Sequence, residues 1–143
     1  MIIPYRKYKD PDGNLVQLPI VSVRITCNKI VLPVWALIDS GADYSVLNAS
    51  FAQIFNVDLK KGKKLRLAGV MEGNEFAGYL HQVNIAIKDV GSVDTLVAFT
   101  DSERYPDMTI LGRYGFFCNF MIKFEEYKKQ VEIEVKPSVP FIN

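Results

Sequence analysis

Apolar residues recur at every second position in three well-separated stretches of this chain. Val21, Val23 and Ile25 alternate with Ser22 and Arg24. Val83, Ile85 and Ile87 alternate with Asn84 and Ala86, and Val131, Ile133 and Val135 alternate with Glu132 and Glu134. A period of two built on β-branched residues puts one face of an extended strand in a core and the other in water, and no helix can use it. Two longer apolar runs, 30–38 and 96–99, read as strands covered on both faces. Pro33 belongs at a bulge or an edge of the first, because it has no N–H to give to a ladder. Turn chemistry separates these strands at Asp10-Pro11-Asp12-Gly13-Asn14, at Glu72-Gly73-Asn74, where a hairpin is expected, and over 125–129. The chain reads as all-β.

Two segments break the pattern. Asn48 is placed to cap a short helix over 49–55, with Phe51, Ile54 and Phe55 on one side and Asn56 as a left-handed stop. A second, over 113–120, is apolar at Phe116, Phe117 and Phe120 but contains Gly115, which limits it to a turn or two. A strand, a second strand and a turn glycine occur twice, ending at Gly41 and at Gly112, so the two halves echo each other. The 143 residues, 49% of them apolar, suffice for one core and one domain.

Bulk properties exclude several classes. A net charge of +1, read with no basic stripe or arginine run, argues against a nucleic-acid footprint, so no nucleic-acid partner is expected. No apolar run approaches the roughly 20 residues of a membrane span. The start, MIIPYRKYKD, lacks the apolar centre of a secretion signal, so a cytoplasmic location is expected. Cys27 and Cys118 have neither metal-site nor disulfide-framework spacing and are expected to be buried free thiols. His81 is the only histidine, so a Ser-His or Cys-His engine would depend on it alone, and no G-x-S-x-G elbow is present. The acids of 10–14 are turn residues rather than a calcium loop, since the glycine comes too early and no glutamate closes the loop. No metal and no cofactor is expected.

One acid stands out. In Ala36-Leu37-Ile38-Asp39-Ser40-Gly41-Ala42-Asp43 an apolar strand delivers a carboxylate to its own end. A lone buried carboxylate is costly, so it requires hydrogen-bond donors, a metal or a second carboxyl group with which to share a proton. Gly41 permits a sharp turn and Ser40 can hydrogen-bond locally or to another chain. The same letters are also ordinary turn chemistry.

Asp39-Ser40-Gly41-Ala42-Asp43 resembles the D-[ST]-G-A-[DS] signature of the retropepsin-like aspartic proteases, the single-lobe, retroviral-type family. The order of parts is similar too. Tyr44 to Leu47 leads into a short helix, Gly69-Val70-Met71-Glu72-Gly73 falls where the family carries its flap hairpin, and Ile110-Leu111-Gly112-Arg113 matches its I-[IL]-G-R element. The match spans about 21–135, with 1–20 as an N-terminal extension and 136–143 as a tail. Gly69 and Gly73 are not adjacent, as flap glycines of the family usually are, and Glu72 near the tip is expected to disfavour acidic residues there.

The resemblance implies a closed acid-protease-type β-barrel lobe with a flap hairpin and one or two short helices, acting as a homodimer. It implies an endopeptidase of extended peptides or proteins, needing neither metal nor cofactor, in which Asp39 is catalytic. Because the chain has one Asp-Ser-Gly and no acid at Ile110-Leu111-Gly112, each copy supplies half a site. Ser40, Gly41, Ala42, Asp43 and Arg113 are the implied support, with Asp43 and Arg113 paired. Gly69, Val70, Met71, Glu72 and Gly73, with Ile38, Ile110, Leu111 and Gly112, are the implied substrate-binding elements. A chain that kept the motif without activity would instead be a dimerisation or peptide-binding module.

Overall fold

The alternating stretches become the walls of one barrel. The computed structural model describes residues 1–68 and 75–136. Its strands are β1 (Ile2–Pro4), β2 (Arg6–Lys9), β3 (Leu15–Leu18), β4 (Ile20–Cys27), β5 (Ile30–Ile38), β6 (Val46–Leu47), β7 (Lys63–Ala68), β8 (Glu75–Ile87), β9 (Gly91–Thr100), β10 (Thr109–Leu111), β11 (Phe120–Glu125) and β12 (Gln130–Val135), with one helix, α1 (Ala49–Ile54). The order β4-β5-β10-β6-β9-β8 closes on itself, because β4 also pairs with β8 through Arg24↔Ala86, Ile25↔Ile85 and Thr26↔Asn84. Closure removes the edges of these strands. β7 hangs on β8 alone, as the outer edge.

Two hairpins set the register. β4 and β5 pair without a break from Ile20↔Leu37 to Cys27↔Ile30, turned by Asn28 and Lys29 at φ 49° and 65°. Positive φ at both central residues matches the twist of a two-residue hairpin. β8 and β9 pair from Gly78↔Thr100 to Ile87↔Gly91. Within the barrel, Val21, Val23, Ile25, Val34, Ala36, Ile38, Val83, Ile85, Val97 and Phe99 form the core, plugged by Phe55 and Phe116. Phe55 meets Phe99 edge-on at 6.4 Å. Each large side chain buried this way contributes about 1.5–3 kcal/mol.

The N-terminal residues are integrated into the fold. β1 lies on β12 through Ile2↔Glu132, Ile3↔Val131 and Pro4↔Gln130, making the sheet β1-β12-β11. The Met1 ammonium donates to Ile133 O at 2.9 Å. β2 and β3 form a separate hairpin whose turn is the expected one. Asn14 N donates to Asp10 Oδ1 at 2.7 Å, and Gly13 sits at φ 86°.

Several expectations need correction. β5 is not covered on both faces: Val34, Ala36 and Ile38 point into the barrel, while Val31 and Trp35, on the alternate outward face, are 53% and 50% exposed. Pro33 lies on the edge that β10, reaching only Ala36–Ile38, leaves free, and the unbroken register leaves no bulge. The run 96–99 does become buried strand, with Val97, Ala98 and Phe99 at 1% or less. In α1, capped as expected by Asn48 Oδ1 accepting from Ser50 N, the inward residues are Ala49, Ala52 and Phe55, while Ile54 is half exposed. Residues 113–120 form turns and no helix. Phe117 N donates to Gly112 O and Cys118 N to Arg113 O, five residues back, around Gly115 at φ 95°. Cys27 is buried, but Cys118 is exposed. The expected turn at 72–74 and the residues 137–143 of the tail lie outside the described residues.

Tyr5 ties the N-terminal segment to the closing strands. It is 7% exposed, and Tyr5 N donates to Lys129 O at 2.8 Å. Burial, then its hydrogen bond to Glu126 and that carboxylate's charge, push the phenol from 10.0 up to about 12. The protonated form is the favoured one, so its stabilisation is complete below pH 10 and is lost as pH rises through about 12. Alkaline absorbance titration should show a tyrosinate step near 12 that disappears in Tyr5→Phe; an unchanged curve in that variant contradicts the assignment.

Candidate active site

β5 delivers Asp39 to a turn that a second strand holds in place. β10 runs parallel to β5 with Leu111 opposite Ile38, and the pairing continues one step as Asp39 N donates to Leu111 O at 3.0 Å. From the other side Ile38 N donates to Pro19 O at 3.0 Å. The chain then reverses: Ala42 N donates to Asp39 O at 3.2 Å, and Gly41 N donates to Asp39 Oδ1 at 2.9 Å. Asp39 is half-buried at the strand's end rather than inside the sheet, so its carboxylate keeps access to water. Among the described residues Oδ2 has no hydrogen-bond partner, which leaves it free to accept from a reacting water or a second carboxyl group.

The turns 39–45 and 111–115 are laced together. Arg113 N donates to Ala42 O at 2.8 Å, Tyr114 N to Asp43 O at 2.7 Å and Ser45 N to Tyr114 O at 3.0 Å. The approach is so close that a Cβ on Gly112 would sit 2.2 Å from Tyr44 O, a contact no side chain can make. Ser45, 1% exposed, fills the seam: its Oγ accepts from Gly112 N at 3.0 Å and donates to Tyr114 O at 3.1 Å. Sequence reasoning missed Ser45. A lone serine in a turn carries no mark that distinguishes an internal brace from a solvated hydroxyl.

Arg113 Nη1 lies 3.7 Å from Asp43 Oδ1, with the two side chains 69% and 81% exposed. At that exposure the pair contributes about 0–1 kcal/mol. Ser40 and Gly41 are exposed and Ala42 is half-buried. Ile38 and Leu111, expected to help bind substrate, are 3% and 1% exposed and pack into the core. Their side chains stabilise the strands that hold Asp39. Ile110, half-buried, points to the other face of β10. Gly69, Val70, Met71, Glu72 and Gly73 lie outside the described residues; the strands on either side of them pair from Lys63↔Leu80 to Ala68↔Glu75.

Beside the Asp39 turn opens a depression of about 700 Å³ lined by Ser40, Asp43, Tyr44, Arg113, Tyr114, Phe117 and Cys118. The rings of Tyr44 and Tyr114 meet at a tilt of 53°, 5.7 Å apart, and Tyr114 is 47% exposed. His81 stands apart: its Nε2 lies 3.0 Å from Leu59 O and its ring meets Phe99 edge-on. Burial pushes the Cys27 thiol up, away from the reactive thiolate form. Among the described residues no group of three or more His, Cys, Asp or Glu could hold a metal ion. No helix among them is long and apolar enough to cross a membrane.

A family model described as "Aspartyl protease" matches residues 21–114. Among solved structures, the retropepsin-like aspartic protease from Rickettsia conorii is 16% identical, with a TM-score of 0.58, over 92% of this chain and 86% of that one. The retroviral protease-like domain of Ddi1 from Leishmania major is 15% identical, with a TM-score of 0.51, over 87% and 99%. At these identities they share the fold. The EIAV protease complexed with the inhibitor HBY-793 is 29% identical over 67% of this chain and 82% of that one, with a TM-score of 0.47. No curated protein matches.

Ser45→Ala removes the acceptor for the buried Gly112 N–H, while Tyr114 O keeps its bond from Ser45 N. Urea denaturation should show a loss of about 1–3 kcal/mol. A loss near zero would mean that the hydroxyl does not brace the two turns.

Proposed function

The chain belongs to the aspartyl protease family, and on that premise we propose that it is an aspartic endopeptidase whose water is activated by two Asp39 carboxylates, one from each subunit of a homodimer. The observation that supports this most is the pair of laced turns. One ends β5 with a half-buried aspartate, and its topological counterpart ends β10 at Gly112, with no acid. A single copy therefore holds one carboxylate where the chemistry needs two, and a two-fold interface, which presents the same patch from both sides, supplies the second.

Two carboxyl groups at contact distance cannot both ionise, so the pair holds one proton, the arrangement established for aspartic proteases. The ionised Asp39 takes a proton from water, and the water oxygen attacks the scissile carbonyl carbon. The protonated Asp39 gives its proton to the carbonyl oxygen. A proton then passes to the amide nitrogen, the C–N bond breaks, and acid and amine products leave with the dyad again sharing one proton. The reaction needs one carboxyl group ionised and the other protonated at the same time.

In this reading the exposed Ser40 hydrogen-bonds across the two-fold. The Asp43–Arg113 pair becomes covered by the partner, where lower dielectric strengthens it. The β7–β8 hairpin, carrying Gly69, Val70, Met71, Glu72 and Gly73, closes over an extended peptide, and Ile110 borders the apolar subsites. Ile38, Leu111 and Gly112 act from behind, by fixing the backbone.

The test is a peptide-library digest from pH 4 to 7, with Asp39→Asn beside the wild type. Wild type should cleave best near pH 5, with Asp39→Asn at least about 100-fold slower. Absence of cleavage by a verified dimer, or cleavage undiminished in Asp39→Asn, overturns the proposal. Peptide binding that persists without cleavage in either protein would identify a binding module instead.

A further inference from the structure

Five of the chain's 17 basic residues fall within seven positions: Lys60, Lys61, Lys63, Lys64 and Arg66. All five are exposed. Lys60 and Lys61 end the short 3₁₀ turn before β7, and the others lie on β7 itself. Three of the eight lysines elsewhere are neutralised by a neighbour: Lys123 and Lys128 by Glu125, and Lys129 by Glu126. Among the described residues the four lysines of 60–64 have no such partner. Among the described residues three acids lie near it in the chain or the register: Asp58 before the turn, Glu75 opposite Ala68, and Asp101, whose N–H donates to Ala77 O opposite Arg66. The patch is therefore strongly positive on a chain whose net charge is +1.

The strand that carries these charges is also an edge. β7 pairs with β8 on one side, and no described strand pairs with its other side. Lysines on an edge strand defend it against pairing with a like copy of itself. The same charges favour an acidic strand, so one feature both rejects and selects. Lys60 and Lys61 precede the strand and are not needed for defence. Beside the edge lies a groove of about 500 Å³ lined by Lys64, Leu65, Arg66, Phe76 and Ala77. Leu65 and Phe76 give it an apolar floor between cations.

We propose that the β7 edge binds an extended, acid-rich polypeptide segment. The segment pairs its backbone with the free side of β7 and sets carboxylates against Lys60, Lys61, Lys63 and Lys64. Lys63 stands on one face of the strand and Lys64 on the other, so carboxylates on either face of the guest find a cation. A polypeptide fits better than a single-stranded nucleic acid. It alone can continue a ladder of N–H and C=O groups, and the ring best placed to stack on a base, Phe76, already stacks on Tyr105 at 4.1 Å. The patch lies on β7 and the turn before it, N-terminal to Glu72 in the chain. If the peptidase reading holds, on which this last step rests, the edge selects substrates with an acidic stretch outside the cleaved bond.

Fluorescence anisotropy tests this with the Asp39→Asn protein, so that cleavage cannot remove the probe. The probes are a labelled twelve-residue peptide alternating Glu and Val, its Gln-for-Glu twin, a twelve-nucleotide DNA strand and phosphatidylserine vesicles. The Glu peptide should bind at least about tenfold more tightly than its twin, and more tightly than DNA or vesicles. Binding should weaken about tenfold in Lys63→Glu/Lys64→Glu and in Lys60→Glu/Lys61→Glu, both checked for fold by circular dichroism, and should fade with added salt. Equal binding of the two peptides, no effect of either charge reversal, or preference for DNA or vesicles overturns the proposal. Binding with no Asp39-dependent cleavage leaves the surface standing and removes only the peptidase; cleavage with no acid preference does the reverse.

Discussion

The close crossing of two turns, 39–45 and 111–115, is the constraint from which the site follows. It exists because Gly112 has no side chain: with Tyr44 O where a Cβ would be, any other residue forces the turns apart. Once they touch, Asp39 N finds Leu111 O, Gly112 N finds Ser45 Oγ and Arg113 N finds Ala42 O. Every one of these bonds ties the backbone of one half to the other. The carboxylate of Asp39 is thus aimed by hydrogen bonds in which it takes little part. That is how a site is positioned on rigid elements rather than on its own side chain.

The barrel supports this crossing from below. Ile38 and Leu111 sit side by side on parallel strands and are buried together, so the two turns rise from a common floor. Phe99 and Phe116 fill the space beneath, each at 0% exposure. On the outside the opposite holds. Ser40, Asp43, Arg113 and Tyr114 are exposed around an open depression, and an ion pair there contributes little while water surrounds it. A face that is firmly built beneath and unfinished above is the complement of the proposed second copy.

What the sequence made legible was whatever depends on periodicity and short motifs. The strands at 21–25, 83–87 and 131–135, the turn at 10–14, the cap at Asn48 and the left-handed Asn56 all follow from rules that act over a few residues. What it hid depends on neighbours far along the chain. Trp35 is exposed because it lies on the outward face of β5, opposite in sense to the buried Val34 and Ala36, and Ile54 is exposed because α1 turns Ala49, Ala52 and Phe55 inward. The turns at 113–120 yield to Gly115, whose positive φ breaks the helical repeat that the phenylalanines suggest. Ser45 looked ordinary because its partners lie 67 and 69 positions away. The expectation of no basic stripe fails at 60–66, where five basic residues cluster despite a net charge of +1, and the strand order shows that they decorate an edge.

The central claim is that catalysis is a property of two copies, each giving one Asp39. Mixing tests it most directly. Wild type and Asp39→Asn protein are combined in varying ratio at constant total concentration, allowed to exchange subunits, and assayed on one peptide. If both aspartates must be present, the rate follows the square of the wild-type fraction, and an equal mixture retains about one quarter of the full rate. A rate that falls in simple proportion, leaving about one half, would mean that each chain works alone and would contradict the account.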